Sequence, residues 1–72
     1  MPGYATMTVE ELRKTLDETK SRLDDARTER EFMGRQQGAH INASEFARLD
    51  REMETYERRI GEIEKVLAAK AR

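Results

Sequence analysis

Met7-Thr8-Val9-Glu10-Glu11-Leu12 and Ile41-Asn42-Ala43-Ser44-Glu45-Phe46 say the same thing twice, and together they decide the fold. In the first, Thr8 is placed as a helix N-cap and Glu11, three residues on, closes a capping box. Met7 before the cap and Leu12 after it are spaced for a hydrophobic staple. In the second, Asn42 is the cap, Glu45 closes the box, and Ile41 faces Phe46. One such box is weak evidence; two, each opening a periodic run, predict two helices.

Outward from these openings, the heptad spacing is continuous. The first helix carries Val9, Leu12, Leu16, Thr19, Leu23, Ala26, Arg30 and Met33 at alternating intervals of three and four. The second carries Phe46, Leu49, Met53, Tyr56, Ile60, Ile63, Leu67 and Lys70. These are a and d positions, a stripe narrower than that of an ordinary globular helix. Gly38 is the expected stop of the first helix, with Gly34 an internal weak point. The short connection requires antiparallel helices. The fold class expected is therefore all-α, a two-helix antiparallel coiled-coil hairpin that dimerises into a four-helix bundle or packs on a partner. Residues 1–7, with Pro2 and Gly3, read as a flexible leader, and Met7 offers an alternative start. The expected helices cover about 8–37 and 43–71, with a turn at 38–42.

Folding at that turn places Met33 opposite Phe46, Arg30 opposite Leu49, Leu23 opposite Tyr56 and Leu16 opposite Ile63. Thr19 and Ala26 then face the larger Ile60 and Met53, the small-against-large alternation that a tight seam needs. On the edge formed by the e positions, the expected neighbours are Arg27–Asp50, Lys20–Glu57 and Arg13–Glu64, all opposite in sign. The g edge differs: Glu29 meets Glu52 and Arg22 meets Arg59, with Thr15 and Val66 below. Like charges there stabilise nothing within one hairpin. A second copy turned by a two-fold axis sets the arginines against the glutamates.

Composition supports this reading and excludes others. Of 72 residues, Leu, Ile, Val and Phe number 12, whereas Ala, Glu, Lys, Leu and Arg number 38, about the share that marks long helices. Net charge is −1, with basic and acidic residues interleaved. No large core and no deep core-walled pocket can be built. With no Cys there is no disulfide, thiolate nucleophile or Cys-ligated zinc. His40, the single His, lies in the expected turn and reads as a solvated loop residue. The carboxylate stripe Glu10, Asp17, Asp24 and Glu31 reads as a solvated face, with nothing to desolvate an acid or base. No enzyme, cofactor or metal is expected. No apolar run approaches the ~18 residues of a membrane span, and the first residues show no charged-then-apolar signal pattern. The expected location is cytoplasmic.

The expected function is a non-enzymatic protein–protein interaction module, such as a small adaptor, assembly chaperone or structural subunit. Its partner is itself, another protein, or both. The interface expected comprises Arg22, Glu29, Glu52, Arg59 and Val66, with Phe32 and Ile41 near the turn. Phe32 serves there either as a local cover or as a binding tip. The alternative is a dimeric hairpin that regulates nucleic acid. Arg51, Arg58, Lys65 and Arg72 share one heptad position on helix 2, and with Arg48 they form a basic ridge able to contact phosphates. No aromatic residue is interleaved there for stacking.

Overall fold

The computed structural model describes residues 3–35 and 43–71. The elements are one 3-10 turn, Tyr4–Thr6, then α1, Val9–Arg35, and α2, Ala43–Lys70, with no strand among the described residues. The two helices pack along their length as a hairpin measuring 52 × 19 × 14 Å. The expected turn, with Gly38, His40, Ile41 and Asn42, lies outside the described residues, and so does Arg72.

The start of α1 follows from its sequence. Glu11 N–H donates to Thr8 Oγ1 at 3.1 Å, Thr8 N–H donates to Glu11 Oε1 at 2.9 Å, and Leu12 N–H donates to the Thr8 carbonyl at 2.9 Å. This is a complete capping box, with two otherwise orphaned amides satisfied reciprocally. Met7 is half-buried and Leu12 fully buried, as the staple requires. Ahead of it, the Thr6 amide and hydroxyl both donate to the Gly3 carbonyl, closing the 3-10 turn, which rests on α2.

The core is a single seam. Leu12, Leu23, Ala26, Leu49 and Ile63 are its buried apolar residues, and Thr19 is buried with them. Thr19 is tolerated there because its hydroxyl donates to the Thr15 carbonyl at 2.7 Å, which leaves no polar atom unpaired. The d positions carry most of the burial. Of the apolar a positions only Leu23 is buried, while Val9, Leu16, Phe46, Met53, Ile60 and Leu67 are half-buried. The seam is thus more open along its a/e side.

Cross-helix ion pairs close that side and define the direction of the chain. Arg30 pairs with Asp50, Arg27 with Glu57 at 3.3 Å, and Lys20 with Glu64 at 3.9 Å. Partners that advance on α2 as they retreat on α1 require antiparallel helices. The identities differ from the sequence expectation, however. Arg27 takes Glu57 in place of Asp50, Lys20 takes Glu64 in place of Glu57, and Arg13 has no ion pair among the described residues. The reason is side-chain direction. Long side chains on a helix lean toward its N-terminus. In an antiparallel pair, bases on α1 therefore reach toward the later acids of α2, which lean back to meet them. Arg30, placed in the seam by its spacing, instead swings out to Asp50 and lies over the Phe46 ring, 5.4 Å from its centroid.

This geometry yields three expectations. Thr8→Ala is expected to cost about 1 kcal/mol of stability through loss of the cap. The amide hydrogen bond from Thr8, then its hydroxyl, hold the Glu11 carboxyl below its ordinary value of 4.5. Its stabilisation is therefore complete above that value and is lost as pH falls through the lower, folded one. Acid titration followed by NMR should show Val9–Leu12 fraying first, and Glu11→Gln, which keeps the box without the titration, should abolish that pH dependence. At Gly61, inside α2, a Cβ meets nothing within 4 Å. Gly61→Ala should stabilise the helix by roughly 0.5–1 kcal/mol in urea unfolding.

Candidate interaction surface

The two edges of the hairpin differ in how their charges are spent. On the e edge, Lys20, Arg27 and Arg30 are all engaged across the seam. Beneath them is a shallow groove of about 660 Å³ with Leu23 and Ile60 at its base and Lys20, Asp24, Arg27 and Glu57 on its walls. These pairs are about half exposed, so each is worth only ~0.2–1 kcal/mol. They nevertheless tie Lys20, Arg27 and Arg30 to acids of α2.

The g edge is organised around Arg48, a residue that the sequence placed on the phosphate ridge. Its guanidinium reaches Glu45 and Glu52, each at 2.9 Å, and Glu29 across the seam at 3.9 Å. The hydrogen bond to Glu45 and then that residue's charge hold Arg48 above its ordinary pKa, with Glu52 and Glu29 adding to the effect. The like-charged Glu29 and Glu52 are therefore bridged within one chain. Glu29 and Glu52 share this one guanidinium, so the two carboxylates of this level outnumber the cation between them. One heptad further along, Arg22 and Arg59 have no ion pair among the described residues. Between the two levels lies a groove of about 230 Å³ lined by Arg22, Asp25, Ala26, Glu29, Glu52 and Tyr56. The half-buried Tyr56 also walls the adjoining groove that contains Arg51 and Arg59.

The structure thus gathers four of the expected interface residues, Arg22, Glu29, Glu52 and Arg59, around Tyr56. Val66 lies apart from them, half-buried in a groove shared with Ala5 of the 3-10 turn and with Ala69. Phe32 is 59% exposed, the one large apolar side chain so displayed among the described residues. Ile41, its expected neighbour, lies outside them. On the ridge of α2, Arg58 approaches Glu62 at 4.0 Å, while Arg51 and Lys65 have no ion pair among the described residues. The spacing Glu45-x-x-Arg48-x-x-x-Glu52 was the available signal for the Arg48 cluster, since residues three and four apart on a helix are neighbours. Reading Arg48 by charge alone missed it. Among the described residues, no group of three or more His, Cys, Asp or Glu side chains is arranged to hold a metal ion, and no helix is long and apolar enough to cross a membrane.

No family model, curated protein or solved structure matches this chain. With Phe32 already largely in water, Phe32→Ala should change stability by less than about 0.5 kcal/mol in urea unfolding. A loss well above that would show that the ring covers the turn.

Proposed function

We propose that this chain is a non-enzymatic protein–protein interaction module, an adaptor, assembly chaperone or structural subunit whose working part is the hairpin surface. The observation that carries the reading is a surplus of surface. The chain exposes 5697 Å², whereas a compact monomer of 8.4 kDa exposes about 4,600 Å². A single seam of this kind leaves a small chain short of buried apolar area. Chains of this size commonly make up the difference by associating. Arg22 and Arg59 of the g edge, without an ion pair among the described residues, are charges that a second surface would engage.

The nucleic-acid reading rests on Arg51, Arg58 and Lys65. It has less support, because Arg48 is committed to three carboxylates and Arg58 has Glu62 beside it.

Thermal unfolding of dilute chain, followed by circular dichroism, tests the proposal. The expected result is a broad, weakly cooperative transition that sharpens and rises once the surface is covered. A sharp, reversible and concentration-independent transition of a monomer would overturn it, since the fold would then need no second surface. Salt-sensitive binding to RNA or DNA, abolished by Arg51→Glu with Arg58→Glu, would transfer the function to the ridge of α2.

A further inference from the structure

We infer that the g edge docks on the g edge of a second copy of this chain, about a two-fold axis that runs across both helices at the level of Ala26 and Tyr56. This rests on the interaction-module reading and names its partner.

The argument begins with the order of charges. Glu29 and Glu52 form one level of the edge, with Arg48 shared between them and Glu45, and that level is negative in excess. Arg22 and Arg59 form the next level, and among the described residues nothing pairs with either. The levels are one heptad apart, about 10 Å of helix rise. A dyad perpendicular to the helices and midway between the levels lays α1 on α1 and α2 on α2, each pair antiparallel. It sets Arg22 against Glu29 of the second copy and Arg59 against Glu52, and symmetry repeats both contacts, giving four cross-dimer pairs. The same axis position serves both helices, which a random placement of charges would not give. A dyad parallel to the helices puts α1 on α2 instead and opposes like charges, so the pattern selects one arrangement.

The groove at the dyad fits this arrangement. Its floor includes the small Ala26, and the half-buried Tyr56 ring stands beside it with no hydrogen bond among the described residues. The two Tyr56 rings would meet across the axis, an aromatic contact of the kind that anchors interfaces.

The experiment is a charge exchange read by sedimentation equilibrium, with helicity followed in parallel. One variant carries Arg22→Glu and Arg59→Glu, and the other carries Glu29→Arg and Glu52→Arg. Wild type is expected at twice the chain mass. Each variant alone should dissociate at least about tenfold more readily, and an equimolar mixture of the two should recover a helical dimer. Recovery on mixing separates lost docking from lost folding. Wild-type dimers that persist unchanged in both variants would overturn this register and leave the interaction module standing. A poorly helical monomer at every concentration would overturn self-association and assign the surface to a different protein. A well-folded monomer that melts cooperatively on dilution would overturn both readings.

Discussion

Two helices packed side by side can bury only one stripe each, and every other feature of this chain depends on that geometric limit. Leu12, Leu49 and Ile63, the fully buried side chains, hold the seam at its two ends. Between them the seam is built from Thr19, Leu23 and Ala26, of which only Leu23 supplies a large apolar side chain. A third or fourth helix would bury the remaining a positions; the hairpin alone leaves them half in water. Surface properties therefore carry more weight here than in a domain with a central core.

Charge compensates for the thin seam in two different ways. Along the a/e side, opposite charges meet across the helices. Along the d/g side, Arg48 draws three carboxylates together, while Arg22 and Arg59, one heptad away, have no ion pair among the described residues. The first arrangement satisfies the chain internally. The second separates charge along the edge, and separated charge in a self-complementary order is what allows one surface to recognise another in a defined register.

Much of the fold was legible in particular residues. The capping box of Thr8 and Glu11 is present to the atom, because capping depends on residues within one turn of each other. The seam positions were legible because heptad spacing is a local property of each helix, and the antiparallel course because a short connection permits no other. The ion-pair partners were misassigned. Opposing Cα levels suggested Arg27–Asp50, but side chains that lean toward their own N-termini make Arg27–Glu57 the pair that forms. Arg30 shows the same limit: its spacing marks a seam position, yet its length carries the guanidinium out to Asp50 and over Phe46. At the g edge the four charged residues were identified, but the roles of Arg48 and Tyr56 were not.

Residues three, four and seven apart thus specified the number of helices, their order and direction, the start of α1 and the stripe each buries. Those features follow from repeated local spacing and survive any small rotation of one helix against the other. The depth to which each a position sinks, the acid that each base takes, the gathering of Glu29, Glu45 and Glu52 on one guanidinium, and the exposure of Phe32 were settled by the packed hairpin. They depend on the rotation and offset of two helices, to which no single stretch of chain has access.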